Sequence, residues 1–408
     1  MTRSLRLGLS VDERLQVVRE KKRLGVLCAI AVIALLIATL WPFNPFPPNR
    51  ISWLPDANGI RFGGPGLVVS KAALKAEGTG PRKSCSLELL LRPASTEGAH
   101  IVLSFYTADN PGQFWVGQWT DGLLVTHEIV HEQNKIKRMK FDVDHAFQEG
   151  QLLLLTIASG PSGTIVYLND REAQVFSSFT ISQSELSGQI VMGTSPVDYQ
   201  PWSGEVHGLA IYSKKLTAAE VSRHYAKWIG GLDQVDLVGA IARYDFQERA
   251  GNEIRNAVAS GTSLEIPEYF GIPHKALLTS PVKEFEANWR YVIDVLLNIA
   301  GFIPLGFVLC VYLSLVRTPR NAILFAALAG GILSFVVEVL QAYIPQRVSG
   351  TTDIIANTLG TVLGAVLTRP RMVRRILERT KLITTSGNLE TPIPHKTESR
   401  CVVKSVHR

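Results

Sequence analysis

The strongest constraint on the fold is the stretch 289–367, which holds three apolar segments that each carry polar or small residues at helical spacing. These residues follow the order i, i+4, i+7 in every segment: Asp294, Asn298 and Gly301; Ser334, Glu338 and Gln341; and Asp353, Asn357 and Gly360. Residues three, four and seven apart share one face of a helix. The pattern therefore predicts three helices, each with one polar and one apolar face.

The acidic residues on these faces are costly inside a membrane, because a carboxylate near the bilayer centre costs about 2.5–3.5 kcal/mol. One acid on each of three helices is more than helix packing requires. We therefore expect the polar faces to meet in a shared functional site. The alternative is that they only join the helices, as polar and small residues do in membranes.

The composition indicates a mixture of membrane spans and a water-soluble domain. The 408 residues are 46% hydrophobic, and the mean hydropathy is +0.14. The net charge of +7 comes largely from basic clusters beside the apolar segments, where it orients the spans, so no nucleic-acid partner is expected. The four cysteines support neither a disulfide framework nor a zinc-type CxxC pair.

The chain divides by composition into seven segments. In order, they are a basic lead at 1–23, a first transmembrane helix at 24–41, a Pro-rich linker at 42–58, an all-β domain at 59–229, a β-rich connecting segment at 230–288, three further spans at 289–367 and a basic tail at 368–408. A cleaved signal peptide is the alternative reading of 24–41. No small-residue cleavage site follows that run, so we expect an uncleaved anchor.

Short alternating runs separated by Gly, Pro, Asn and Asp predict strands throughout the middle of the chain. The predicted strands are Cys85–Leu91, Ile101–Phe105, Gln151–Ile157, Gly163–Leu168, Gln189–Met192 and Glu205–Tyr212. Asn169–Asp170 predicts a hairpin turn. Thr217 and Glu220 predict a capping box that opens a helix. Many strands without intervening helices favour a sandwich or jelly roll.

A family resemblance supports this β reading. The segments GIRFGGPGLVVS, CSLELLLRPA, GQFWVGQWTDGLLV and WSGEVHGLAIYSKKLTAAEVSRHY resemble a laminin-G-type, concanavalin A-like jelly roll across most of 59–229. The resemblance implies a sandwich of two curved sheets, of a kind often used for sugar or protein recognition. Residues 230–288 are too short for a second copy, and we expect them to add edge strands to the first.

The basic clusters predict one topology with four crossings. Arg317 and Arg320 lie between the second and third spans, and a run of arginines follows the last span. Because positive residues stay inside, both termini are expected in the cytoplasm and residues 42–288 outside the membrane. The fold class is therefore mixed: a small α-helical bundle of four transmembrane helices plus an all-β jelly-roll sandwich.

A second resemblance covers the spans. The segments DVLLNIAGFIPLG, EVLQAYIPQR and TTDIIANTLGTVLGAVL, with WPFNPF after the first span, resemble the VanZ family of bacterial membrane proteins. The polar positions that match this family are Asp294, Asn298, Glu338, Gln341, Arg347, Asp353 and Asn357. The resemblance implies a cytoplasmic-membrane location and names no reaction. We expect Arg347 to pair with one of the acids.

The sequence HEIVH at 127–131 has the HExxH spacing of zinc proteases, which works only on a helix. The surrounding residues are β-branched, and on a strand His127 and Glu128 point to opposite faces. We therefore predict a solvent-facing strand edge, no metal site and no cofactor. The acidic residues in loops lack calcium-binding spacing and are expected to be solvated.

Three function hypotheses remain open at this stage. In the first, the jelly roll recognises cell-envelope carbohydrate or protein while the helical polar residues bind a lipid-linked or wall-precursor headgroup, as in a glycopeptide-resistance type of envelope function. In the second, the acids perform acid/base chemistry on an envelope glycolipid, because desolvated carboxylates have raised pKa values. In the third, the helices only anchor the jelly roll. The absence of a nucleophile or metal signature in the sequence favours the first, a non-enzymatic role.

Overall fold

The computed structural model describes residues 11–75, 83–130, 136–230, 238–259, 261–285 and 287–369. The chain forms two compact units. The helical unit comprises Met1–Thr39, Glu286–Ser334 and Asp353–Arg408, and the sandwich unit comprises Leu40–Phe285 and Phe335–Thr352.

The described helices are α1 (Val11–Leu40), α2 (Ala218–Gly230), α3 (Pro281–Glu284), α4 (Trp289–Ser314), α5 (Pro319–Ala342) and α6 (Thr351–Val366). The described strands are β1 (Ile51–Trp53), β2 (Ile60–Phe62), β3 (Val68–Ser70), β4 (Cys85–Pro93), β5 (Ala99–Tyr106), β6 (Phe114–Trp119), β7 (Gly122–Val130), β8 (Ile136–Val143), β9 (Leu153–Gly160), β10 (Gly163–Leu168), β11 (Arg171–Phe176), β12 (Gln189–Met192), β13 (Gly204–Tyr212), β14 (Ala240–Tyr244), β15 (Glu253–Ile254) and β16 (Leu264–Glu265).

Among the described residues, the strands of the sandwich unit form two eight-stranded sheets. The first sheet has the order β1-β2-β13-β4-β9-β10-β11, and β14 also pairs with β13. The second sheet has the order β15-β16-β3-β12-β5-β6-β7-β8. Neighbours are antiparallel, and the non-sequential order is that of a jelly-roll sandwich. This confirms the predicted jelly roll.

The sandwich core lies between the inner faces of the two sheets. Large side chains such as Phe62, Phe105, Phe114 and Trp202 are buried there. Almost every residue of β4 is buried, because α2 covers the outer face of the first sheet. Glu88 of β4 is 0% exposed and accepts hydrogen bonds from the side chains of Tyr212, His224 and Trp228. Three donors make this buried carboxylate tolerable.

Local sequence signals in the sandwich are confirmed. Leu168 pairs with Arg171 across the turn at Asn169–Asp170, and Asn169 has a positive φ of 62°. The backbone N–H of Thr217 donates to the Glu220 carboxylate over 2.8 Å, and the N–H of Glu220 donates to the Thr217 hydroxyl over 3.3 Å. These reciprocal bonds are the capping box that begins α2.

The sandwich extends beyond 59–229 on both sides. β1 precedes that range and pairs with β2. From the connecting segment, β14 pairs with β13, while β16 pairs with β3 and β15 with β16. The connecting segment therefore supplies strands to both sheets.

In the helical unit, α4 and α6 touch backbone to backbone at glycines. A Cβ atom on Gly360 would lie 2.1 Å from the carbonyl oxygen of Ile299, and one on Gly364 would lie 2.0 Å from that of Ile303. On α4, a Cβ on Gly306 would lie 2.0 Å from the carbonyl oxygen of Thr361. Gly360 and Gly364 lie four residues apart, a GxxxG spacing that is typical of closely packed helices. Leu35 of α1 packs in a buried cluster with residues of α4.

Three described helices are long and apolar enough to cross a membrane: Val18–Leu40 within α1, then α4 and α5. The fourth predicted span corresponds to α6, which has 16 residues. At 1.5 Å per residue such a helix rises about 24 Å, short of the ~30 Å hydrocarbon core. Four transmembrane helices are therefore not confirmed.

Candidate functional site

Within the helical unit, the polar residues of α4, α5 and α6 meet in two hydrogen bonds. The side-chain amide of Asn298 on α4 donates to the Asp353 carboxylate on α6, with Nδ2 and Oδ1 2.6 Å apart. The amide of Asn357 on α6 donates to the Ser334 hydroxyl on α5 over 2.9 Å. Asn357 and Ser334 are buried, and Asn298 and Asp353 are half-buried. The helical spacing thus identified faces that contact one another.

Asp294 is placed differently from the other residues of this set. It lies one turn before Asn298 on α4, and its side chain is exposed. Neither of the two hydrogen bonds between helices includes it. That these residues together bind a ligand stays a prediction.

In the sandwich unit, Glu338 contributes to the cap of α6. Its side chain is 1% exposed, and Oε2 accepts the backbone N–H of Gly350 over 2.9 Å. Glu284, at the end of α3, accepts the N–H of Thr352 over 3.1 Å. The first N–H groups of a helix have no intrahelical acceptor, and the helix dipole favours negative charge there. Two carboxylates from distant segments therefore stabilise the start of one helix.

The end of α5 is held by Lys275 of the connecting segment. Its ammonium group donates to the carbonyl oxygens of Gln341 and Ile344, at 3.2 and 2.5 Å. Gln341 is itself buried. Burial lowers the pKa of Lys275 to about 8, while the two carbonyl oxygens at a helix C-terminus favour the charged form. Lys275 therefore has a pKa of about 8 and also makes a contact between two segments that are far apart in the sequence.

The loop between α5 and α6 pairs with the same connecting segment through its backbone. The N–H of Thr279 donates to the carbonyl oxygen of Ser349, and the N–H of Thr351 donates back to that of Thr279, both over 3.0 Å. Sequence reasoning missed Lys275, Thr279 and Glu284. They lie more than 60 residues from their partners, and no periodic pattern links the two segments.

Arg347 does not pair with an acid. Its guanidinium donates to the carbonyl oxygen of Trp41 over 2.9 Å, and it makes no ion pair within 4 Å with any carboxylate in the described ranges. The expected ion pair is therefore wrong. A carbonyl oxygen satisfies a guanidinium N–H without the cost of desolvating a second charge.

The segment 127–130 is a strand, as predicted, but it is neither at an edge nor facing solvent. β7 lies between β6 and β8, and His127 is 1% exposed. His127 Nδ1 bonds to the Glu185 carboxylate, and Glu128 pairs with Arg138 over 2.5 Å. Leu123, Val125 and His127 alternate along β7, which was the available signal that His127 faces the core.

His131 lies outside the described residues. Within the described ranges, no group of three or more His, Cys, Asp or Glu side chains is arranged to hold a metal ion.

The architecture and these contacts define a class of protein, a jelly-roll sandwich joined in one chain to apolar helices long enough to cross a membrane. Residues 246–374 match the VanZ/LLP1 family model, and residues 69–222 match the model of the concanavalin A-like lectin/glucanases superfamily. The chain therefore carries a VanZ-like domain and a laminin-G-like, concanavalin A-like domain, as both resemblances implied. A search of curated proteins gives no match.

Three solved structures are similar to part of the chain. A SAP-like pentraxin from Limulus polyphemus has 15% identity and a TM-score of 0.33, with 55% of this chain and 94% of that chain covered. A putative carbohydrate binding protein from Bacteroides ovatus has 12% identity and a TM-score of 0.34, with 49% and 59% covered. The binding domain of Botulinum neurotoxin DC, in complex with rat synaptotagmin II, has 12% identity and a TM-score of 0.32, with 44% and 46% covered. The match spans less than two thirds of the latter two chains.

Proposed function

We propose that this protein is a multi-pass protein of a bacterial cytoplasmic membrane that recognises cell-envelope components. The jelly roll recognises envelope carbohydrate or protein outside the membrane. The polar residues of the VanZ-like helices bind the headgroup of a lipid-linked or wall precursor. Both termini lie in the cytoplasm, and α6 makes the fourth crossing.

The charge distribution supports this topology. Arg317 and Arg320 flank the turn between α4 and α5, and arginines follow α6 in the sequence. Positive residues remain on the cytoplasmic side of a membrane. With the sandwich outside, the chain must cross the membrane an odd number of times between the sandwich and each of the two clusters. The backbone contact of α6 with α4 supports including the shorter helix in the bundle.

The single observation that carries the headgroup proposal is the hydrogen bond between Asn298 and Asp353 inside apolar helices. Polar groups at membrane depth are costly and commonly mark a functional site. Carboxylate and amide oxygens accept hydrogen bonds from sugar hydroxyls or a headgroup ammonium. In the sandwich unit, Lys275 and Arg347 line a cavity of about 90 Å³, and positive charges of this kind bind phosphate.

Lipid analysis of the full chain tests the headgroup proposal. The protein is extracted from bacterial membranes in native nanodiscs, and the lipids bound to it are identified by mass spectrometry. The proposal predicts that a lipid with a sugar-bearing headgroup co-purifies with the wild type and is lost when Asp294→Asn, Glu338→Gln and Asp353→Asn are combined. An unchanged set of bound lipids in this triple variant would contradict it.

Sedimentation tests recognition by the jelly roll. The full chain, in a detergent without sugar, is mixed with insoluble envelope polysaccharide and centrifuged, and heat-unfolded protein serves as the control. The proposal predicts that only folded protein co-sediments and that a soluble hydrolysate of the polysaccharide competes. Equal recovery of folded and unfolded protein would reject carbohydrate recognition.

A further inference from the structure

One cavity in the sandwich unit is lined by His127, the first histidine of the HExxH segment. It has a volume of about 610 Å³ and is lined in part by Lys83, Asn110, His127, Thr180, Ser184 and Glu185. Lys83 and Pro161 come from the loops at one end of β4 and of the β9–β10 hairpin, and His127 comes from β7. The cavity thus lies at one end of the sandwich, where strands of both sheets end. Its volume falls within the ~300–1,000 Å³ typical of small-molecule sites.

Glu185 organises the hydrogen bonds of the cavity wall. Its carboxylate accepts from the N–H of Ser182, from the Ser182 hydroxyl over 2.8 Å, and from Nδ1 of His127. Burial raises the pKa of Glu185, but the hydrogen bonds from His127 and Ser182 outweigh burial and leave the pKa below its ordinary value. Glu185 is therefore ionised and accepts all three hydrogen bonds.

The remaining donors and acceptors follow from this arrangement. Because Ser182 gives its proton to Glu185, the 2.7 Å contact between the Ser182 and Ser184 hydroxyls requires Ser184 to donate. The exposed Ser184 oxygen then presents only lone pairs to the cavity. Nδ1 of His127 donates to Glu185, which leaves Nε2 as the other polar atom of the imidazole ring.

Two polar atoms of this wall have no hydrogen-bond partner among the described residues. They are Nε2 of His127 and the side-chain oxygen of Asn110, both of which are buried. The Asn110 amide nitrogen donates to the carbonyl oxygen of Glu128 over 3.0 Å. The atom of Asn110 without a partner is therefore its side-chain oxygen. A buried polar atom without a partner requires an explanation, and a bound hydroxyl group, which both donates and accepts, supplies one.

We propose that this cavity is the carbohydrate-binding site of the jelly roll and that it holds a sugar ring through the hydroxyl groups of the sugar. Ser184 and Asn110 offer acceptors and His127 offers its Nε2 atom, and sugar hydroxyls both donate and accept hydrogen bonds. Lys83 is exposed and forms no ion pair with any described carboxylate, so it supplies a donor at the rim. The inference rests on the proposed carbohydrate recognition and assigns that role to one cavity.

Saturation-transfer NMR on the full chain in a sugar-free detergent tests the proposal, with glucose, N-acetylglucosamine and glucuronate as probes. Thr180→Trp fills the cavity from an exposed position, and Ser178→Trp adds the same ring two residues away, outside the lining. Ser184→Ala removes an exposed acceptor. Melting temperatures of all variants check that the fold is retained.

The proposal predicts that at least one probe binds the wild type and Ser178→Trp with equal affinity. Thr180→Trp should weaken that binding by at least about tenfold, and Ser184→Ala by about three- to tenfold, the effect of one lost hydrogen bond. Binding that Thr180→Trp leaves unchanged would overturn the cavity assignment while carbohydrate recognition stands. If no probe binds the wild type, the cavity assignment fails, and the polysaccharide sedimentation separately decides whether the jelly roll recognises carbohydrate.

Discussion

Replacing Glu338 by alanine removes a buried carboxylate that accepts the backbone N–H of Gly350 at the start of α6. The hydrogen bond is 2.9 Å long, and the side chain is 1% exposed, so water cannot replace the lost acceptor. Hydrogen bonds to charged groups contribute about 1.5–3 kcal/mol. We expect Glu338→Ala to lower the free energy of unfolding by that amount.

Two matched variants separate the cause of this loss. Glu338→Gln keeps an acceptor oxygen of similar reach and loses only the charge, so we expect a loss of about 1 kcal/mol or less. Glu284→Ala removes a carboxylate from the same helix start, at a position that is half-buried where Glu338 is fully buried. Its cost should be below about 1 kcal/mol.

The assay is reversible unfolding of the detergent-solubilised chain, followed by far-UV circular dichroism. The order of stabilities should be wild type, then Glu284→Ala and Glu338→Gln, then Glu338→Ala. Capping by Glu338 is contradicted if Glu338→Ala is as stable as the wild type. It is also contradicted if Glu338→Gln lowers the free energy of unfolding as much as Glu338→Ala does. A Glu338→Gln protein that is stable but has lost its bound lipid would support the headgroup proposal instead of a purely structural role.

Three further predictions concern the helices and the connecting segment. Gly364→Leu should lower the free energy of unfolding by more than about 2 kcal/mol, because its side chain would meet the Ile303 carbonyl where α4 packs on α6. Gly301→Leu, which has open space around it, should be tolerated in the same unfolding assay. A double-mutant cycle of Asn298→Ala and Asp353→Ala should give a coupling of about 0.6–1.7 kcal/mol, whereas Asp294→Ala should show none with Asp353→Ala. Burial lowers the pKa of Lys275 to about 8, from about 10.4 in an unfolded chain. The free energy of unfolding of the wild type, compared with that of Lys275→Met, should therefore rise as the pH rises between these two values. A difference that falls over this range would show that the helix carbonyls outweigh burial.

Features of the fold that depend on neighbours in sequence could be predicted. The apolar runs that form β4 and β10, the Asn169–Asp170 turn and the capping box at Thr217 are local, because they are properties of a few consecutive residues. The polar faces of α4 and α6 were visible for the same reason. Gly360 and Gly364 signalled close packing because small residues four apart make a flat helix face.

Features that depend on long-range packing were not visible in the sequence. Nothing local indicates that Lys275 and Glu284 contact the ends of α5 and α6, since these pairs are brought together by the fold. The Arg347 prediction was wrong because sequence gives the charge of a residue but not which acceptor lies nearest. His127 was assigned to a solvent-facing edge because the sequence does not reveal the order of strands in a sheet. In the structure, β7 has a neighbouring strand on each side.

The proposed topology places the sandwich outside the membrane and the turn between α4 and α5 inside. Single cysteines test this directly after the four native cysteines are replaced by alanine. Ser178→Cys in the sandwich and Thr318→Cys between α4 and α5 are both at exposed positions. A membrane-impermeant maleimide should label Ser178→Cys in intact spheroplasts and Thr318→Cys only after lysis. The reverse pattern, or equal labelling of both before lysis, would contradict the account.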